Sequence, residues 1–344
     1  MIGVGMLVVQ VLLGGITRLT GSGLSITEWE PIMGALPPMN DHDWQTAFDK
    51  YKEIAQYKYV NRHFTLSDFK FIFFWEWFHR LWARLIGVVF LIPFIVFIIQ
   101  KRFTKEMIRP LVLLFLLGAL QGLVGWIMVL SGLNDSELVH VSHYRLAIHF
   151  ILALVLLVYA LWFTLRLTVP QQQIFVNNNL RKFLGWICAL LVLQLIYGAF
   201  MAGLKAATAA PTWPDMNGTW LPPNVSSHAG RNFDGLSFLV DHPLVIHFIH
   251  RNLAYLLTVL LLWWTWKAFK VSGTKYFRKT LRLPMYLVFV QVILGIFTVL
   301  YSPDQRTFLW LGVAHQFVAM MLLLSFTWMF YIIRGKNYVI PNQA

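Results

Sequence analysis

The sequence predicts an all-α polytopic membrane protein, with eight transmembrane helices arranged as two pseudo-symmetric four-helix bundles. Three observations lead there. The 344-residue chain is 58% hydrophobic and only 12% charged, about half the charged share of a soluble domain. Eight apolar runs are long enough, or nearly so, to cross a bilayer. The runs of the two halves also carry the same polar residues at matching places.

In chain order the apolar runs cover residues 2–17, 71–99, 108–130, 146–165, 183–204, 244–266, 283–301 and 309–333. The first lacks the basic flank of a signal peptide and passes straight into a polar loop, so it reads as a short first transmembrane helix. The loops alternate in charge. Residues 100–109, 166–182, 267–282 and the tail hold fifteen Lys and Arg against one acid, Glu106. The intervening loops hold most other acids: seven in 18–68, then Asp135, Glu137, Asp215, Asp234, Asp241 and Asp304. Basic loops stay on the cytoplasmic side. Both termini are therefore expected in the cytoplasm, with the long loops 18–68 and 205–243 outside. Topology thus accounts for the net charge of +13; membrane lipid is an expected partner and nucleic acid is not. The single cysteine, Cys188, excludes an intrachain disulfide and a Cys-based metal site. Trp75, Trp77, Trp82, Trp263, Trp264 and Trp266 are expected mostly at lipid-facing or interfacial positions.

An internal repeat divides the chain. Gln-x-x-x-Gly occurs in every odd-numbered run: Gln10–Gly14, Gln121–Gly125, Gln194–Gly198 and Gln291–Gly295. Every even-numbered run carries a histidine: His79, His149, His250 and His315. The offsets between halves are 184, 171, 170 and 166 residues, consistent with a duplicated four-helix unit. Residues 1–170 and 171–344 are the expected halves. Four helices is an even number, so the two copies share one orientation in the membrane.

The chemistry concentrates in 71–84, FIFFWEWFHRLWAR. Glu76, His79 and Arg80 fall on one arc of a helix, with Arg84 one turn beyond Arg80. Glu76 is the one acid within an apolar run. Burying an ionisable group at membrane depth costs about 2.5–3.5 kcal/mol on insertion scales, so such groups face a partner, a cavity or a cofactor. The expected topology places all four histidines about two to three turns below the outer surface. Four histidines at one depth, two per half, suit axial ligation of two haems between facing helices. The plainer reading of any one is an interfacial histidine bonded to a neighbour; their equivalent repeat positions argue against it. WEWFHR at 75–80 matches IHFIHR at 246–251, with His247 in place of Glu76. Arg80, Arg84 and Arg251 are candidate cofactor-binding residues. Arg80 and Arg251 could neutralise haem propionates, or pair with Glu76 or reach the surface. The Gln-x-x-x-Gly elements read as close helix contacts with an interhelical hydrogen bond, in preference to direct cofactor contact. His42, His63, His140, His143, His228 and His242 carry no assigned role.

The residues also resemble a known family. GGITRLTGSGLSITEWEPIMGALPP (14–38), FKFIFFWEWFHRLWARLIG (69–87), QGLVGWIMVLSGL (121–133) and YRLAIH (144–149) closely resemble the heme A synthase family. HFIHRNLAY (247–255) and VAHQ (313–316) match its second half more loosely. The resemblance implies oxidation of the C8 methyl of heme O to the formyl of heme A, in two successive steps, for cytochrome oxidase. It implies that Glu76, His79 and His149 form the substrate haem site, with Glu76 catalytic, and that His250 and His315 ligate a haem b. A heme O synthase, the cytochrome oxidase assembly machinery and an electron donor or acceptor are the implied partners. The chain lacks the outer-loop cysteine pairs of one branch, so it is similar to the branch shared by mitochondria and many bacteria. With no transit peptide, a bacterial membrane is expected, the cell inner (plasma) membrane. On this reading Glu76 stabilises positive charge developing beside the substrate ring, or acts as a base in the second oxidation.

Two rivals come from other classes. A di-haem b-type, quinol-linked electron-transfer protein would have equivalent halves, which the Glu76/His247 difference opposes. A repeat-built transporter would have helices interrupted near the midplane, for which Pro93 is the only sign.

Overall fold

Among the described residues of the computed structural model, eight helices are long and apolar enough to cross a membrane. The structure describes residues 1–28, 33–133, 139–222, 227–228 and 230–335. Of the charges used for topology, Glu30, Asp135, Glu137 and Lys336 lie outside those residues. The long helices are α1 (Ile2–Leu19), α2 (Leu66–Ile99), α3 (Lys105–Leu133) and α4 (His143–Thr168). They continue with α5 (Asn178–Gly203), α6 (Pro243–Phe269), α7 (Leu283–Leu300) and α8 (Gln305–Ile332). Each expected run lies within one of these helices to within a residue. Pro93 sits inside α2 without dividing it, which removes the sign of a transporter's broken helix. The chain forms two compact units, Met1–Leu157 and Val158–Ala344, and the division falls inside α4.

In the first unit α1 packs along α2. Short α1 is stitched to its neighbour by side chains that reach backbone carbonyls. Thr17 donates to the Trp75 carbonyl at 3.3 Å and Gln10 to that of His79 at 3.3 Å. Trp82 donates back to Met6 at 2.9 Å. Such bonds hold well where water cannot compete. Gly21, at φ +71°, turns the chain out of α1 in the left-handed region that glycine adopts freely. The loop that follows holds two short helices, Asp41–Lys52 and Ala55–Tyr59. Their aromatic side chains cover the start of α2, in a cluster of Phe48, Tyr51, Phe69, Ile72 and Phe73. Phe48 stacks on Phe69 at 5.1 Å and Trp44 meets Phe73 edge-on at 5.0 Å. The buried Tyr51 hydroxyl donates to Gln56 at 3.0 Å and accepts from Asn61 at 2.7 Å. Burial pushes its pKa up to about 12, so it stays a donor. Thr65 and Asp68 close a capping box at the head of α2, satisfying amides that the first turn leaves open.

In the second unit α5 packs along α6 and α7 along α8. Asn177 caps α5 by accepting from the Leu180 amide at 3.0 Å. Trp264 corrects the sequence reading: it is fully buried, and its indole donates to the Leu180 carbonyl at 3.0 Å. Its place on the inner face of α6 is set by that carbonyl, for which the sequence has no sign. Trp263 and Trp266 do lie exposed, at 49% and 55%. A short parallel strand pair, Phe175–Val176 with Ile333–Arg334, ties the end of α8 to the start of α5. At the head of α6, His242 is wholly buried beside Phe233 and Phe238 and caps the Val245 amide. Burial lowers its pKa, so it caps as a neutral imidazole, a structural part that the sequence gave no reason to assign.

The aromatic cluster carries a test. Phe69→Ala empties the centre of the loop–helix contact and should cost about 3–5 kcal/mol. It would be read as a lowered unfolding temperature in detergent, with faster proteolysis between residues 41 and 61. Phe71→Ala, at a side chain 56% exposed, should stay within about 0.5 kcal/mol of the parent. Equal effects would show that the cluster does not hold the loop.

Candidate functional site

Each odd-numbered helix offers one face, defined by a glutamine and the glycine one turn later, to the histidine of the next even-numbered helix. A Cβ added to Gly125 would fall 2.7 Å from His149 Cε1, and one on Gly295 3.0 Å from His315 Cε1. At Gly198 it would fall 3.2 Å from His250 Cε1, and at Gly14 3.4 Å from His79 Nε2. The glycines are therefore small so that an imidazole can lie against bare helix backbone. The glutamines complete the seats. The Gln121 amide nitrogen lies 3.2 and 3.4 Å from the two ring nitrogens of His149. That of Gln194 lies 3.2 and 3.3 Å from those of His250, and that of Gln291 lies 3.1 Å from His315 Nε2. Gln10 instead donates to the backbone carbonyl of His79. The expected interhelical hydrogen bond is present, and its partner in each case is the histidine. All four glutamine Oε1 atoms are buried with no hydrogen-bond partner among the described residues.

The histidines come together in pairs within each unit. His250 and His315 stand with ring centres 6.4 Å apart and planes at 67°. Two imidazoles on opposite sides of one metal, with bonds of about 2 Å each, hold their centres about 6 Å apart. Nδ1 of His315 is buried and unpartnered among the described residues. His79 and His149 are close enough to interact electrostatically. Among the described residues no cluster of three or more His, Cys, Asp or Glu could hold a metal ion. A pair of imidazoles holds a bare ion poorly. A haem iron brings four nitrogens of its own, and two axial histidines complete it. The donor set fits a haem.

One turn before His79, Glu76 is 2% exposed and fully engaged. Its Oε2 accepts from the Ser25 hydroxyl at 2.8 Å and the Ile26 amide at 2.9 Å, and its Oε1 accepts from Arg80 at 2.5 Å. Arg80 also donates to the Ile26 and Glu28 carbonyls, at 3.1 Å each. Of the readings open for Arg80, the structure shows the pairing with Glu76, which latches the loop 18–68 onto α2. Trp77 adds a bond to the Ala35 carbonyl at 3.0 Å. Arg84 is half-buried one turn further on.

The second unit has the same latch around a different group. His247, 1% exposed, meets Arg251 through Nε2 at 3.1 Å, while its Nδ1 has no partner among the described residues. Arg251 donates to the carbonyls of Thr212 at 2.9 Å, Pro214 at 3.0 Å and Asp215 at 2.7 Å. Sequence reasoning did not find Ser25, the Ile26 amide or these carbonyls. Main-chain groups leave no signature in a sequence, and Ser25 is one of several small polar residues in its loop. Chemically the two latches differ in one respect: the first holds an anion–cation pair, the second a cation beside an imidazole.

The chain matches, over residues 1–327, the family model COX15-CtaA, described as cytochrome oxidase assembly protein. It is 39% identical over 326 residues to the heme A synthase of Flavobacterium johnsoniae, covering 94% of this chain and 93% of that protein. Identity to the heme A synthase of Novosphingobium aromaticivorans is 42% over 347 residues, with 96% and 93% covered. For that of Parvibaculum lavamentivorans it is 40% over 342 residues, with 95% and 91% covered. No solved structure matches the chain.

The seats make a contrast that unfolding can read. Gly125→Ala drives a methyl group into His149 and should cost about 1–3 kcal/mol by overpacking. Gly118→Ala and Gly87→Ala, where a Cβ meets nothing, should be neutral or stabilising by up to about 1 kcal/mol through helix propensity. Thermal unfolding of the three variants in one detergent would decide; a harmless Gly125→Ala would mean the seat is not tight.

Proposed function

The chain belongs to the COX15-CtaA family of cytochrome oxidase assembly proteins, and from that premise we propose that it is a heme A synthase. It is a multi-pass membrane enzyme that converts the C8 methyl of heme O to a formyl group in two successive oxidations. Each takes two electrons from that carbon and passes them to an external electron acceptor; over the two, one oxygen atom enters the carbon and the displaced hydrogens leave as protons. What supports the reading beyond the family is the set of seated histidines, with His250 and His315 spaced so that the two could hold one haem between them. In this assignment His79 and His149 hold the substrate haem, and His250 and His315 hold haem b. Haem b, when bound, supplies one-electron transfer. The halves 1–170 and 171–344 correspond to the two sites.

The chain's own residues orient, enclose and hold charge. The histidines would hold the haem, so the imidazole seats would set where its reacting edge lies. The latch of Glu76 and Arg80 keeps the loop 18–68 over the mouth of the first site and excludes water. Glu76 holds a negative charge one turn from His79. Arg80 offsets part of that charge, and the remainder faces a low-dielectric interior where charge developing on the ring is felt strongly. His247, uncharged when deprotonated, does this poorly, which is why the chemistry is assigned to the first half. In the second half Arg251 is spent on loop carbonyls, so its part is to close the loop. The loops 18–68 and 205–243 face away from the cytoplasm, by the charge asymmetry of the loops. A heme O synthase supplies the substrate and cytochrome oxidase receives the product.

Mass identification of haems extracted from the purified protein tests the activity. Heme O or heme A beside haem b is the expected result; haem b alone would select the electron-transfer reading. Glu76→Gln keeps the shape of the side chain and removes its charge. It should leave both haems bound, while heme A falls and heme O or its hydroxylated intermediate accumulates. His247→Ala should keep substantial activity. The reverse pattern would move the reaction to the other half.

Orientation has its own test, in a Cys188→Ser background. Cysteines at Thr46 and Ser227, both exposed, should react with an impermeant thiol reagent in intact spheroplasts. One at exposed Ser272 should react only after lysis. Labelling of Ser272 alone in intact cells would invert the topology.

A further inference from the structure

The four glutamines look alike in sequence, but their amides are held differently in the two units. Gln121 donates to the backbone carbonyl of His149 at 3.0 Å, besides lying against that ring, and Gln10 donates to the carbonyl of His79 at 3.3 Å. Half a turn of either amide would press Oε1 against a carbonyl oxygen, so both are fixed with nitrogen toward their histidine. Gln194 and Gln291 are tied to no such carbonyl; their nitrogens meet only the rings of His250 and His315. Their amides can turn over with no change of shape, because oxygen and nitrogen occupy equivalent ends.

A histidine that coordinates iron through one ring nitrogen carries its proton on the other. That N–H needs an acceptor, and the acceptor raises the basicity of the ligand and fixes its orientation. Gln194 and Gln291 each have an Oε1 that is buried and unpartnered among the described residues. Turning the amide satisfies the oxygen and the imidazole together. Gln10 and Gln121 cannot do the same without losing their backbone bonds.

We propose that Gln194 and Gln291 are positioning residues, each presenting its side-chain oxygen to the ring N–H of His250 or His315. Gln10 and Gln121, pinned to backbone carbonyls, withhold that support from His79 and His149. The second unit thereby holds its haem permanently through two strengthened ligands. The first offers two weaker ligands, suited to a haem that must arrive as substrate and leave as product. This rests on the ligand assignment proposed above.

The test uses the full-length protein purified with its haems. It reads haem b content, haem b midpoint potential and the low-temperature electron paramagnetic resonance spectrum. Gln194→Leu and Gln291→Leu should each weaken haem b binding by about 10- to 100-fold and raise the midpoint potential of what remains. Gln194→Glu and Gln291→Glu, which keep an acceptor, should retain haem b and lower its potential. Gln121→Leu should leave haem b unchanged in all three readouts. A parent protein without haem b would overturn the ligand assignment, and this inference with it. Haem b present in the parent, with content and potential unaltered by the Leu and Glu changes, would overturn this inference alone. Glu variants that behave like the Leu variants would do the same, since they would reduce the glutamines to packing.

Discussion

Inside a hydrocarbon layer a polar group has to find its partner within the protein, and in this chain that requirement organises everything else. The partners are mostly main-chain carbonyls of a neighbouring helix or loop. Thr17, Gln10 and Trp82 join α1 to α2 in this way, and Trp264 joins α6 to α5. Arg80 and Arg251 each spend their guanidinium on two or three loop carbonyls. Apolar side chains gain little by exchanging lipid for one another, so these bonds and the close approach at glycine do much of the work of holding helices together. The buried groups left without a partner among the described residues then stand out, and the four glutamine oxygens are among them.

The same economy separates the two halves. Both use an arginine one turn after a buried polar residue to fasten a loop across a helix end. In one half the polar residue is Glu76, saturated by three donors; in the other it is His247, with one ring nitrogen unmet. Two units can share the mechanical parts of a latch while differing in one charge. Here the difference turns a latch that only holds into one that also presents an anion near a histidine.

Much of this was legible in the sequence because hydrophobic length and charge sign are one-dimensional signals. The eight helices follow from the apolar runs, and the pairing of His250 with His315 follows from the repeat. Glu76 could be singled out because an acid in a span is rare. Other features depend on three-dimensional accidents that residue types do not encode. Trp264 has the composition of an interfacial tryptophan, yet a carbonyl across the helix interface draws it inward. The Gln-x-x-x-Gly spacing indicated a close contact, and only the structure shows that an imidazole fills it. The latches depend on backbone atoms of loops, which have no letter in the alphabet.

The order of the seats along the chain bears on how the protein is made. In each pair the helix with glutamine and glycine is synthesised before the helix that carries the histidine. A nascent chain entering the bilayer therefore lays down the socket first, and the imidazole meets it as soon as the following helix turns back. Each such hairpin is a self-contained unit of insertion, its polar ring shielded from lipid without waiting for any other part of the protein. On the ligand assignment proposed above, a haem held by His79 and His149 draws on two hairpins and is accepted only after four helices are in place, so loading of the first pocket can precede translation of the second.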